Sequence, residues 1–314
     1  KMEYQNKIQS LKKLVEKNSV SNLEDWFDGL EDRKKEEVTL HDKLRDMDFR
    51  KNASQEEVKK YFSNTKMLDG YDEDDQSLFT DNQIWFDNEY LLKNSISGLS
   101  DNYFNKLISE CSTGSFVLDM ASGFGRDSIT AAKSNANFVV GVDLSPKSVE
   151  EANRLAVENS LDNVLFAVAD CENLYFEDNT FDLVICARML HHIDFEPVMK
   201  EVNRVLKEGG KAICLEALGI NPVLNLYRRY TPAQRTHWEA ANILTFKQIR
   251  IARKYFKVQN IKYWHILSPL AKFSNKLLPL LNFLDGYLLT KIPIFNRLSW
   301  IFTFELKKDQ IFKS

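Results

Sequence analysis

Two closely spaced glycines and three carboxylates follow short apolar runs of the chain. Gly123 and Gly125 come after a run that holds Asp119, and glycine lets the backbone turn tightly and approach a ligand. Asp143 ends the next run, where a carboxylate can accept hydrogen bonds from both ribose hydroxyls. Asp170 ends a third run, where a carboxylate can receive an adenine amino group. The pattern predicts a site for a ligand that contains a nucleoside.

The same turn also resembles that of nicotinamide and flavin sites, so an NAD(P)-dependent oxidoreductase is one alternative. Ser128 stands where the third glycine of a dinucleotide fingerprint would be. Asp119 would repel a pyrophosphate and would instead attract an ammonium group. Both features favour a ligand that carries an amino group over a dinucleotide, and an ordinary tight turn is the remaining interpretation.

The apolar runs alternate with amphipathic helices, which is typical of βαβ units and a parallel sheet. Ser145 is predicted to cap a helix that begins at Pro146, and Gly209-Gly210 to end another helix. The predicted strands are 116–119, 137–143, 164–170, 181–187, 211–216, 258–267 and 299–306. The predicted fold is a doubly wound α/β domain over 113–314, preceded by a helical extension over 1–112.

These motifs resemble those of the class I, type 11 small-molecule methyltransferases. The resemblance lies in 117–125, 140–146, 168–174, 181–193 and 201–210. It implies S-adenosylmethionine as the cofactor and a Rossmann-like, seven-stranded sheet whose last strand, 299–306, is antiparallel. Ala121-Ser122 stands where the family more often has Gly-Cys, which exchanges small residues for small residues.

The resemblance also implies roles for individual residues. Asp143 would bind the ribose, Asp170 the adenine, and Gly123 with Gly125 the methionine part, while Asp119 would lie near the ammonium. The predicted cofactor residues are Asp119, Ala121, Gly123, Phe124, Gly125, Asp143, Leu144, Asp170, Cys171 and Ala187. A non-catalytic protein that binds S-adenosylmethionine stays open, because function depends on the site and not on the fold.

His191, His192 and Glu216 are the candidate catalytic residues. The two histidines follow the fourth strand of the predicted sheet, at its carboxyl edge, where either could act as a general base. The alternative is that both pack or form hydrogen bonds in a strand-to-helix turn. Candidate bases favour O-methylation of the acceptor, and N-methylation of a small amine is the alternative.

An insertion at about 219–240 is predicted to bind the acceptor. Tyr227, Arg228, Arg229 and Arg235 are the predicted contacts, since guanidinium groups bind phosphate or carboxylate through paired hydrogen bonds. Glu216 could orient one guanidinium. We therefore expect an anionic or sugar-like small molecule, unless these arginines pair with acidic residues of the N-terminal extension.

The extension is expected to act as a lid over the cofactor pocket. The aromatic cluster Trp85, Phe86 and Tyr90 is the predicted contact, and His41-Asp42 is a second candidate catalytic pair. A further insertion, 266–297, is rich in leucine and phenylalanine. It is expected to be buried against the N-terminal helices because Asp285-Gly286 interrupts an amphipathic helix, and contact with a membrane surface is the alternative.

Composition excludes several classes of protein. With 44% hydrophobic residues and a net charge of −3, the chain is globular and has no global field to attract nucleic acid. The segment 186–189 also lacks the Asn/Asp-Pro-Pro-aromatic pattern of many amino-methylating nucleic-acid enzymes. The four cysteines lack metal-binding spacing, so we expect reduced thiols and no metal site. Without a secretory signal pattern, the expected location is the cytoplasm.

Overall fold

A computed structural model describes residues 2–45, 95–230 and 237–309 of the chain. Its centre is a seven-stranded sheet in the order β3-β2-β1-β4-β5-β7-β6. The strands are β1 (Phe116–Met120), β2 (Phe138–Asp143), β3 (Val164–Val168), β4 (Phe181–Ala187), β5 (Leu206–Ala217), β6 (Lys257–Trp264) and β7 (Ile301–Lys307). Only β7 runs antiparallel to its neighbours in this sheet, so the predicted fold is confirmed.

Helices lie around the sheet. They are α1 (Met2–Lys17), α2 (Leu23–Asp28), α3 (Asp32–Arg45), α4 (Gly98–Ser112), α5 (Arg126–Lys133), α6 (Pro146–Glu158), α7 (Phe195–Val205), α8 (Pro222–Tyr230), α9 (His237–Asn242), α10 (Phe246–Ala252) and α11 (Leu278–Lys291). The Ser145 hydroxyl accepts a hydrogen bond from the amide of Ser148, and Pro146 opens α6 as predicted.

The predicted helix end at Gly209-Gly210 is wrong. Helix α7 ends at Val205, and β5 begins at the next residue, Leu206. Leu206 is fully buried and pairs with Phe181 of β4. Burial of Leu206 satisfies a helical and a strand pattern equally, and the pairing with β4 decides between them.

Two apolar cores lie on the two faces of the sheet, and a third, smaller cluster joins α6 to Phe166 of β3. One contains α7 and α10 and also receives Leu11 and Val15 of the N-terminal helix α1. The other contains Phe104 and Ile108 of α4. The extension thus contributes side chains to both cores, while the predicted boundary at 112/113 stays a prediction.

The insertion 266–297 is partly buried and partly exposed, and the predicted interruption of its helix at Asp285-Gly286 is wrong. Helix α11 continues through Asp285-Gly286, and it packs against β6 and the 3₁₀ turns Ser268–Phe273, Asn275–Leu277 and Pro293–Leu298. Asp285 is buried and accepts hydrogen bonds from three backbone amides, those of Ile266, Leu267 and Ser268. This carboxylate anchors the helix and does not interrupt it. Its oxygens accept hydrogen bonds from amides at the start of the 3₁₀ turn Ser268–Phe273, which precedes α11 in the chain.

Two further expectations concern absences. Among the described residues, no helix is long and apolar enough to cross a membrane. No cluster of three or more histidine, cysteine, aspartate or glutamate side chains suited to a metal occurs in the same ranges. All four cysteines are free thiols, and Cys171, Cys186 and Cys214 are buried.

Candidate functional site

A cavity of about 350 Å³ opens at the carboxyl ends of β1, β2, β3 and β4. This edge is where ligands bind in open α/β sheets, because the helices that follow the strands begin there. Of the ten predicted cofactor residues, nine line the cavity: Asp119, Ala121, Gly123, Phe124, Asp143, Leu144, Asp170, Cys171 and Ala187. The structure therefore brings together side chains from four separate stretches of sequence.

The glycine turn after β1 is shaped by Asp143. Its carboxylate accepts hydrogen bonds from the amides of Gly123, at 2.8 Å, and Ser145, at 2.8 Å. Ala121, Gly123 and Gly125 all have positive φ, a conformation that costs glycine little. Asp143 thus fixes both the loop after β1 and the loop after β2.

Gly125 is the predicted cofactor residue outside the cavity lining. A Cβ at this position would lie 2.3 Å from the ring of Phe166 on β3. Its φ of 79° also belongs to the left-handed region. Gly125 is therefore required by packing beneath the turn.

Asp119 lies at the acidic end of the cavity. It is 2% exposed and accepts a hydrogen bond from the Ser128 hydroxyl at 2.6 Å. Burial raises the pKa of Asp119 well above its usual value, and the negative charge of Asp127 adds to this effect. Asp127 and Arg126 line the same cavity, so this end offers both acidic and basic groups.

Helix α3 of the extension forms a wall of the cavity through Arg33, Lys34 and Glu37. The Lys34 ammonium lies 2.6 Å from Asp170 Oδ2 and 3.0 Å from Glu172 Oε2, and Arg33 lies 2.6 Å from Glu172 Oε2. Burial lowers the pKa of Lys34, but the hydrogen bonds and charges of Asp170 and Glu172 raise it overall. The α3 cations are thus bound to the loop that follows β3.

Sequence reasoning missed Arg33, Lys34 and Glu37. Their spacing places them on one face of a helix, which was the available signal within an otherwise uniformly charged run. The predicted aromatic contacts Trp85, Phe86 and Tyr90 lie outside the described residues, as does the side chain of His41. Its neighbour Asp42 accepts a hydrogen bond from the Ser145 hydroxyl.

The two histidines after β4 have different surroundings. His192 lines the cavity, and its Nδ1 lies 3.1 Å from Glu37 Oε2 on α3. His191 stands outside the lining, with its Nδ1 2.7 Å from Glu216 Oε2. The centroids of the two rings are 4.1 Å apart.

Glu216 holds the turn after β4 in place. It is fully buried on β5, and its Oε1 accepts hydrogen bonds from the amides of Met189 and Leu190. Glu216 lies outside the cavity lining, and its recorded hydrogen bonds go to the turn and to His191, so its predicted orientation of a guanidinium stays a prediction. Its oxygens are used by the turn that carries both histidines.

The predicted acceptor residues of the insertion are not brought into the cavity lining where the structure describes them. Arg228 donates to Asn225 Oδ1 at 2.8 Å and reaches the carbonyl of Leu218, so it stabilises its own loop. Arg229 is exposed, while Arg235 and the side chain of Tyr227 lie outside the described residues. The insertion instead meets the extension through the Arg33 guanidinium, which lies 4.6 Å from the centroid of the Trp238 ring.

Comparison with known proteins assigns the domain that surrounds this cavity. Residues 117–210 match the family model described as a methyltransferase domain. The chain carries a class I, S-adenosylmethionine-dependent methyltransferase domain. The predictions of family, fold and cofactor are thereby confirmed for this methyltransferase domain.

Two curated relatives and one solved structure describe the likeness. An uncharacterized methyltransferase, YcgJ, of Bacillus subtilis is 28% identical over 162 residues, which are 50% of this chain and 63% of that protein. The 27-O-demethylrifamycin SV methyltransferase of Amycolatopsis mediterranei is 33% identical over 129 residues, 40% of this chain and 47% of that protein. The match thus spans less than two thirds of either relative.

The solved structure shows the same fold. It is the geranyl diphosphate C-methyltransferase of Streptomyces coelicolor, which superposes with a TM-score of 0.50 at 17% identity. The superposition covers 66% of this chain and 76% of that one. At this identity, the likeness concerns the methyltransferase fold alone.

Proposed function

We propose that this protein transfers a methyl group from S-adenosylmethionine to a hydroxyl oxygen of a small molecule. The observation that carries the proposal is the shared cavity, which is lined by Asp143, Asp170 and His192. The relative from Amycolatopsis mediterranei, whose name denotes an O-demethylated substrate, supports an oxygen acceptor.

The donor groups of the cavity fit the cofactor. Each oxygen of Asp143 accepts one amide, and a carboxylate has about four acceptor positions, so Asp143 keeps capacity for ribose hydroxyls. Asp170 would accept the adenine amino group. Asp119 and Asp127 suit the ammonium of the methionine part, and Arg126 suits its carboxylate. The cavity volume lies within the roughly 300–1,000 Å³ of ligand pockets.

When bound, the cofactor supplies an electrophilic methyl group on a sulfonium, and the protein must align the acceptor and remove its proton. Glu37 Oε2 lies beside Nδ1 of His192 and would hold the proton on that nitrogen. Nε2 of His192 would then take the proton of the acceptor hydroxyl. Arg33, Lys34 and Glu37 line this side of the cavity and would exclude water from this step.

Thermal unfolding with and without ligand tests the cofactor assignment. S-adenosylmethionine should raise the Tm, since a ligand at 100 times its Kd stabilises the native state by about 2.7 kcal/mol. NAD⁺ and NADP⁺ are the controls and should leave the Tm unchanged. A shift with either dinucleotide alone would point to an oxidoreductase.

The second measurement follows labelled methyl groups from the cofactor into a panel of hydroxylated and amine-containing small molecules. Label recovered in a methyl ether supports the proposal, and label recovered only in amines contradicts it. Tight cofactor binding without transfer to any member would favour a non-catalytic binding protein over an enzyme.

A further inference from the structure

Helix α11 exposes four of its apolar side chains. Leu280, Phe283, Leu284 and Tyr287 recur at helical spacing and are 56%, 72%, 36% and 57% exposed. The opposite side of the helix carries Leu278 and Asp285, which are both buried. An exposed apolar stripe of this kind marks an interaction surface more often than an ordinary solvent face.

The orientation of α11 is fixed by its buried carboxylate. Asp285 accepts the amides of Ile266, Leu267 and Ser268, with distances of 2.7 to 3.1 Å. A rotation of α11 that buried the apolar stripe would remove Asp285 from these amides and leave polar groups without partners. The outward apolar stripe is therefore imposed by the fold.

The charges around the stripe are basic. Lys276 precedes α11, Lys291 ends it and Arg297 follows it, and all three are exposed. Asp285 is the single acidic residue of 266–297 in the sequence, and it is buried beneath the helix. Within 266–297, the exposed charges of the described residues are therefore all positive.

We propose that this surface, which we call the α11 surface (Lys276, Leu280, Phe283, Leu284, Tyr287, Lys291 and Arg297), docks on an anionic lipid bilayer. Exposed apolar side chains of a helix can enter the acyl boundary of a bilayer while cations at the ends of that helix meet anionic headgroups. A second copy of the chain fits less well, because a two-fold contact through this surface would bring like charges together.

The inference goes beyond the proposed methyl transfer and does not rest on it. Docking requires the α11 surface alone, and vesicle binding is measured without cofactor or acceptor. Loss of either activity would therefore leave the other one standing.

Flotation of the full chain with vesicles is the test. Vesicles of phosphatidylcholine and phosphatidylglycerol in equal parts should carry the protein upward, and added salt should weaken this binding. Phosphatidylcholine vesicles should bind less. The double variant Leu280→Ser/Phe283→Ser should weaken partitioning by roughly tenfold or more, because each side chain favours an apolar phase by about that factor.

The matched controls are Leu23→Ser and Val157→Ser, which remove equally exposed apolar side chains elsewhere, at 50% and 77% exposure. They should bind vesicles like the parent protein, and circular dichroism should show all variants folded. Absence of vesicle binding by the parent overturns the proposal, and so does an equal loss in the controls. Dimerisation that Leu280→Ser/Phe283→Ser abolishes, without vesicle binding, would assign the surface to a second copy.

Discussion

The two adjacent histidines have unequal roles because different carboxylates face them. His192 reaches the cavity and meets Glu37, whereas His191 points to the buried Glu216. Glu216 also accepts hydrogen bonds from two backbone amides of the turn, so His191 helps Glu216 to stabilise this turn. The proposed base is thus selected by geometry and not by residue type.

Replacement of His192 by alanine should lower kcat by about 10²–10⁴-fold, since this is the usual contribution of a general base. The Kd of S-adenosylmethionine, measured by calorimetry, should change little because Asp143 and Asp170 are retained. Glu37→Gln should lower kcat by a smaller factor, because it removes the negative charge but keeps an acceptor oxygen beside Nδ1 of His192.

The control variant is His191→Ala, which alters the neighbouring ring but leaves the cavity lining in place. It should lower stability because the buried Oε2 of Glu216 loses its His191 partner, and it should reduce kcat less than His192→Ala does. Equal losses of kcat and cofactor affinity in His192→Ala would assign His192 to packing instead.

Helix α3 is attached to the cofactor side of the cavity by ion pairs. Lys34 forms ion pairs with Asp170 and Glu172. Arg33 forms an ion pair with Glu172 and a cation–π contact with the ring of Trp238. Burial raises the pKa of Glu172, but hydrogen bonds from Arg33, Asp194 and Lys34 lower it overall. These contacts join three parts of the chain that are far apart in sequence.

Lys34→Met should raise the Kd of S-adenosylmethionine several-fold, because it removes the cation that fastens α3 to the loop after β3. The exposed pair Lys106 and Glu110 offers a control, since Lys106→Met removes an ion pair remote from the cavity. Tighter cofactor binding by Lys34→Met would instead mean that Lys34 competes with adenine for Asp170.

At the scale of the whole molecule, a buried histidine links α4 to the turn after β6. His265 is 2% exposed, with Nδ1 2.8 Å from the Ser268 hydroxyl and Nε2 3.0 Å from that of Ser100. Burial lowers the pKa of His265 to about 4, against partial opposition from Asp285 and Asp101. The native state therefore holds this imidazole neutral.

Acid should destabilise the protein through His265. In the unfolded chain this histidine has a pKa near 6.5, so it binds a proton at a pH where the native state leaves it neutral. The free energy of unfolding therefore falls as the pH is lowered from about 6.5 to 4. The stabilisation that neutral His265 gives to the native state is fully present above about pH 6.5 and amounts to about 3 kcal/mol. Urea unfolding at several pH values measures it.

The comparison variant is His265→Gln, which lacks the titrating ring. Its free energy of unfolding should lie below that of the parent at neutral pH, and the difference should shrink toward pH 4. Parallel pH curves for the two proteins would contradict the assignment.

The sequence by itself determined the sheet and the cofactor edge. Apolar runs that end in Asp119, Asp143 and Asp170 are local signals, and parallel strands bring their carboxyl ends to one edge whatever the remaining chain does. The cap at Ser145 and Pro146 was equally local. Family, fold and cofactor follow from such short-range patterns.

Only the tertiary structure decided which charged and apolar groups meet. Lys34 and Asp170 are 136 positions apart, and neither sequence nor helical period indicates that they pair. The sequence predicted a helix break at Asp285, because it does not show that the three amides that Asp285 accepts belong to a separate turn. The partners of Arg228, Asn225 and the Leu218 carbonyl, come within reach only after the loop folds, so the sequence did not indicate them. A polar side chain acquires its role from its partners, and packing between distant segments supplies those partners.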